Sequence, residues 1–365
     1  MTNETSGEPV DIYSFPIPND ETRLKFEQSY AAYDASLKSK WDKYLQKHAT
    51  PTDFFHGATL RTSKTLKSLC RLGVFSEYRR EVYLRLTGAH KRQQTSSSDY
   101  RRLVTRTHNL RNKSTDQIDL DLERTFPENR RFRSPSALSR LHNVLAAFSY
   151  KDKDIGYVQS LNYLVGMLLL IMDEEEAFWV LVSIIDDYLP REYFSKNLLA
   201  VMTDQRVLCS LCENLIGSRF INHLNNCGAP LDLMTTDWFM CLFTKTLSSS
   251  CIFRIWDAFF YEGVKVIFRF SVALLKLSER AILEAHDIVK ISSVITSMAN
   301  TFYDPNHLSK VAFNQLGSFP MVRIVELRHI HRQSVLIDLK KADDLRKNAR
   351  QRERIAPPPP QPRAE

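Results

Sequence analysis

Residues Ile118–Pro127 read IDLDLERTFP, and the fold turns on whether this stretch is strand or helix. As a strand, its alternation of apolar and acidic residues sets Asp119, Asp121 and Glu123 on one face, an acidic row of the kind that holds metal in a nuclease. As a helix, those carboxylates fan apart. Ile118, Asp121 and Arg124 then share a face at three-residue spacing instead. Local signals favour the helix: Ser114 and Gln117 fit an S-x-x-Q capping box, and Pro127 disfavours helical backbone at Phe126. Asp121 then stands one turn before Arg124, placed to ion-pair with its guanidinium and restrict its rotamers. Arg124 also reads as an ordinary cation at a helix C-terminus, where the dipole favours it by about 0.3–1 kcal/mol, and spacing alone does not separate the two readings.

Thirty-odd residues on, Gln159 follows Ile155, Gly156 and Tyr157 and precedes the apolar run Leu161–Met172. That run is well short of the roughly 18 residues that span a bilayer, so it reads as a core helix. An amide at the mouth of such a helix either caps a backbone group or faces a cleft, because burying it unpaired is costly. A guanidinium and a carboxamide in one cleft, with no activated nucleophile or metal, suit a protein that completes another protein's active site.

The rest of the chain reads as helix. Phe26, Tyr30, Tyr33, Leu37, Trp41 and Tyr44 recur every three or four positions, tracing an apolar stripe. A break with Pro51 follows, and Leu66, Leu69, Leu72, Val82, Leu84 and Leu86 resume helical faces on either side of Gly73. Thr95–Ser98 is a polar surface loop. Ser250 fits the N-cap of a helix carrying Ile252, Ile255, Trp256 and Phe259, with Gly263 after its end. Helical patterns continue over Glu279–Tyr303 and Val322–Arg346. The expectation is an all-α fold. Its organisation reads as an irregular segment and amphipathic helix over 1–62, a helical domain over 63–335, and a helical end with a disordered basic, proline-rich tail over 336–365.

Composition narrows the function classes. Only ten glycines occur in 365 residues, and neither GxGxxG nor GxxxxGK is present, which argues against a nucleotide-cradling loop. The six cysteines interrupt apolar helical patterns and the N-terminus lacks a basic-then-apolar leader, so a reducing, cytoplasmic setting is expected. Cys209, Cys212, His223 and Cys227 approach a zinc-knuckle pattern, but the two leading cysteines also read as one buried helical face, so no metal is expected. The net charge of +8 and the arginines Arg101, Arg102, Arg106, Arg130, Arg131 and Arg133 raise nucleic-acid binding, which the lack of a reader fold or interleaved exposed aromatics disfavours. Arg354, Pro357 and Pro360 fit the RxxPxxP spacing of SH3-domain ligands, a pattern that arises cheaply in proline runs.

IDLDLER resembles the IxxDxxR motif, and YVQ at Tyr157–Gln159 the YxQ motif, of TBC-domain proteins, the GTPase-activating proteins for Rab-family small GTPases. The similarity extends through LGVFSEYRREVYLRLTGA, RTFPENRRFR, EEEAFWVL, TDWFMCLF and RIWDAFFYEGVKVIFR in the family's order, and covers roughly residues 10–330. The resemblance implies a V-shaped all-α domain whose groove grips a GTP-bound Rab, with Arg124 as arginine finger and Gln159 as glutamine finger. It further implies support or GTPase contact from Ile118, Asp121, Tyr157, Asn162, Arg79 and Trp238. It implies no cofactor of the chain's own, since GTP and Mg²⁺ travel with the partner, and peripheral association with endomembranes through the Rab. The chain departs from the family pattern at Ser160, where glycine usually follows the glutamine, and at Phe75, Tyr83 and Ser248.

Overall fold

The computed structural model of the chain describes residues 9–18, 20–48, 63–96 and 99–355. Helices carry the architecture; among the described residues there is no β-strand, only an isolated bridge between Val10 and Pro16. The decisive stretch is helical, as the Lys113–Leu122 helix. Its cap lies earlier than the sequence suggested. Asn112, and not Ser114, is the N-cap: its side chain accepts from the amides of Ser114 and Thr115 at 2.8 and 3.0 Å, and Thr115 Oγ1 accepts from the Asn112 amide at 2.9 Å. An Asn oxygen reaches both of these otherwise unpaired donors, and Ser114 is left inside the first turn.

Around the Pro135–Lys151 helix, begun by the Ser134 N-cap with proline at the first position, pack the Asp99–Thr107, Lys113–Leu122, Leu161–Leu169 and Glu174–Ser183 helices. A second group forms around Leu199–Leu215, which packs on Leu231–Met240, Lys265–Leu277 and the long Met321–Ile355 helix. Between them runs Ser249–Glu262, buried at every position from Ser249 to Phe260 and packed on the Lys64–Leu72, Arg79–Leu86 and Pro305–Lys310 helices. Its N-cap is Ser248, not Ser250, and Gly263 follows it with φ +77°. One hydrophobic cluster runs through all of these, from Tyr13 to Leu327.

The amphipathic Glu21–His48 helix lays its stripe on this core: Leu37 and Trp41 are fully buried, and Trp41 Nε1 donates to the Gly73 carbonyl at 2.9 Å. Residues 10–18, which carry no helical periodicity, are also docked, with Tyr13 and Ile17 buried. At the other end the helix continues to Ile355, into the stretch read as tail. Pro357 and Pro360 lie outside the described residues, as do Ser97 and Ser98 of the polar loop and the Pro51 break.

Candidate functional site

Arg124 sits in the turn just after the Lys113–Leu122 helix, and its side chain is 47% exposed while its ion-pair partner Asp121 is fully buried. Asp121 accepts from Gln117 Nε2 at 3.0 Å and from the Tyr157 hydroxyl at 2.6 Å as well as from Arg124. Burial, and then the hydrogen bond to this carboxylate, push the Tyr157 hydroxyl far above the ordinary phenol range, so it stays a donor. A buried carboxylate with three donors holds one nitrogen of a guanidinium whose side chain stays half-exposed.

The turn is secured from below. Thr125 Oγ1 donates to the Asp121 carbonyl at 2.6 Å and accepts from Asn162 Nδ2 at 2.8 Å. Gly166 of the Leu161–Leu169 helix presses against it, because a Cβ there would stand 2.8 Å from the Phe126 ring and 3.3 Å from Thr125 Cγ2. Ile118 is fully buried beneath.

Arg124 opens onto a cleft of about 680 Å³, lined also by Phe15, Pro16, Ile17, Arg23, Phe126, Tyr163, Lys245, Leu247 and Tyr303. The walls are apolar and aromatic with a few charges. Gln159 is exposed on the neighbouring turn and makes no hydrogen bond among the described residues. Tyr157, two residues before it, ties that turn to Asp121, and Gly156 supplies φ +64° at a point where a Cβ would meet Ser114 Oγ at 3.2 Å. The carboxamide therefore neither caps the following helix nor is buried.

Ser160 carries strain. Its φ of +152° lies where glycine is relaxed and other residues are not, and its buried hydroxyl has no hydrogen-bond partner. Ser160→Gly is expected to raise stability by about 1 kcal/mol, the relieved strain and orphaned hydroxyl exceeding glycine's extra unfolded-state entropy. Urea unfolding tests this; a midpoint at or below that of the wild type contradicts the strain.

Two residues lie deeper than a contact surface. Arg79 is 2% exposed and grips fully buried Asp257 at 2.9 and 3.0 Å, and Trp238 is 1% exposed against Phe243. Any contribution they make is support from inside. Among the described residues no group of three or more His, Cys, Asp or Glu is arranged to hold a metal. Cys212 is fully buried and its thiol is pushed up by burial, while His223 Nε2 lies 2.9 and 2.7 Å from the carbonyls of Ile282 and Ala285. The basic run is partly committed to intramolecular contacts, since exposed Arg131 bonds the Leu170 and Ile12 carbonyls and Ser14 Oγ. No described helix is long and apolar enough to cross a membrane.

Residues 10–18 fall within the resemblance, but the sequence did not place them as a wall of the site. Ile12, Tyr13, Phe15 and Ile17 were the available signal, masked by Pro16 and Pro18.

The Rab-GTPase-TBC domain family model matches residues 76–283. Among curated proteins, TBC1 domain family member 2A of Rattus norvegicus is 38% identical over 329 residues, covering 89% of this chain and 34% of the relative. TBC1 domain family member 2B of Mus musculus is 33% identical over 348 residues, covering 93% of this chain and 36% of the relative. The chain thus spans about a third of these relatives' length. Of solved structures, the Chlamydomonas flagellar RabGAP TBC domain superposes with TM-score 0.73 at 27% identity, covering 84% of this chain and 100% of that one. The Ypt/Rab-GAP domain of Gyp1p shares the fold, with TM-score 0.64 at 18% identity over 77% of this chain and 98% of that one. With the family match covering more than half of its length, and the paired motifs set on this all-helical frame, the chain belongs to the Rab-GTPase-TBC domain family.

Proposed function

We propose that this chain accelerates GTP hydrolysis by a GTP-loaded, Mg²⁺-bearing Rab-family GTPase, acting in trans. The observation that supports the reading most directly is Arg124, its guanidinium held through one nitrogen by buried Asp121 and half-exposed beside a large cleft. A guanidinium so held neutralises charge that develops on the γ-phosphoryl group and the leaving oxygen. Because this interaction grows only as the transition state forms, it lowers the barrier and does not merely tighten the complex.

Gln159 is the second group. Its unpaired carboxamide is free to accept from and donate to the attacking water, aligning it with the phosphorus in the role that the GTPase's own glutamine plays in Ras-type catalysis. Gln159→Ala is expected to slow single-turnover GTP hydrolysis by about 10²-fold or more at saturating chain. A panel of purified GTP-loaded Rabs, each with wild type and this variant, checks it; equal rates on the Rab that wild type stimulates would defeat the role.

A second reading, a Rab-binding protein that blocks other partners without stimulating hydrolysis, draws on Ser160. The strained residue immediately after Gln159 is placed to re-aim the carboxamide. Binding without rate enhancement across the panel distinguishes it. Location in the cytoplasm, with membrane association supplied by the Rab, belongs to the same proposal.

A further inference from the structure

Residues 10–18 grip both sides of the cleft. On one side the Tyr13 ring packs 4.3 Å from Phe253, its hydroxyl accepts from Arg79, and Asp11 accepts from the Ser249 hydroxyl of the central helix. On the other side they clasp the loop that follows Arg124. The Ser14 carbonyl accepts from the Arg130 amide at 3.1 Å, the Tyr13 carbonyl accepts from Asn129 Nδ2 at 2.9 Å, and Phe15 sets its ring edge-on to Phe126 at 5.3 Å. Phe126, two residues after Arg124, holds φ +50°, an unfavourable conformation for an aromatic residue that persists only when neighbours over-determine it. Asp11 fixes the strap's own turn by accepting from the Tyr13 and Phe15 amides, both at 2.9 Å.

We propose that this strap, which lies before the family-matched residues 76–283, positions the arginine finger, and that Phe15 is the positioning residue through which it acts. The inference rests on the GTPase-activating reading of Arg124. Asp121 holds the guanidinium from the helix side and the strap holds the outgoing chain, so Arg124 is fixed from both directions. Phe15 acts through Phe126 and transfers nothing to the reacting atoms. Its loss lets the turn sample other positions, and a displacement of about 1 Å at a catalytic group costs on the order of 10²-fold in rate.

The test uses the whole chain and a GTP-loaded Rab that the wild type stimulates, with single-turnover hydrolysis followed against chain concentration. Phe15→Ala is expected to lower the limiting rate by roughly 10- to 100-fold, leaving the half-saturating concentration within about threefold and a cooperative melt intact. Phe15→Tyr is expected to restore the rate, and Phe15→Ala with Phe126→Ala to be no slower than the worse single variant. Amide exchange at Arg130, whose N–H the strap holds, is expected to quicken in Phe15→Ala while amides in the Pro135–Lys151 helix keep their protection. An unchanged limiting rate overturns the proposal, as does an effect confined to the half-saturating concentration, which would make the strap a binding wall only. If Phe15→Ala loses its melt, Phe15→Leu carries the same two criteria. If the wild type stimulates no Rab, the activating reading falls, and Arg130 exchange still decides whether the strap holds the loop.

Discussion

Arg124→Ala is expected to reduce the saturated single-turnover rate of the stimulated Rab by about 10³-fold or more, the range spanned by arginine fingers in GTPase systems. The size follows from what the side chain does and does not do in the resting protein. The guanidinium is half-exposed and pairs with buried Asp121 through one nitrogen, so its removal takes the counter-charge from a carboxylate that keeps Gln117 and Tyr157 as donors, and leaves the cleft's apolar walls in place. Binding of the GTP-loaded Rab is therefore expected to stay within a few-fold of wild type, since an interaction made chiefly in the transition state lowers the rate constant and not the affinity. Arg124→Lys is expected to recover little, because a point charge lacks the planar fork that meets two oxygens together. Single-turnover hydrolysis and Rab binding, measured on the same preparations, check both halves. A variant within tenfold of the wild-type rate would remove Arg124 from the chemistry.

Arg79→Ala is expected to lower folding stability by about 3–5 kcal/mol, the largest stability effect foreseen here, without touching the partner surface. The guanidinium meets both oxygens of Asp257, the Val74 carbonyl and the Tyr13 hydroxyl, all inside the protein. Removing it leaves Asp257 with only the Val74 amide at 2.8 Å and the Tyr83 hydroxyl at 2.6 Å, and no counter-charge. Against a total stability of about 5–15 kcal/mol, such a loss approaches unfolding. Urea titration measures it. A change below about 1 kcal/mol would mean that the interior reorganises or admits water around the carboxylate.

The two cases also show where the sequence was legible. Asp121 lies in the last turn of the helix and Arg124 just past its end, and because Glu123 keeps right-handed helical backbone their three-residue spacing still brings them together, as the helical period suggested. The long stripe from Phe26 to Tyr44 was readable for the same reason. Partners joined only by tertiary structure were not. Tyr157 reaches Asp121 across 36 residues and Arg79 reaches Asp257 across 178, distances over which no periodicity operates. The cap at Asn112 was missed because Ser, Thr and Asn all satisfy the same amides and the box shifts by two residues without altering the pattern. Residues 10–18 were opaque because their order comes from contacts to distant helices and not from a repeat of their own.

The Met321–Ile355 helix is 35 residues long, yet Val335 is the last of its described side chains to be buried. Its inner part is riveted to the globule by paired charges, Arg328 to Asp204, Arg332 to Glu192 and, just past Val335, Asp338 to Arg206. Beyond that last rivet the next ten residues, roughly 15 Å of helix, stand out like a mast, upheld by local propensity and by short-range pairs such as Arg346 with Asp343 in place of a core.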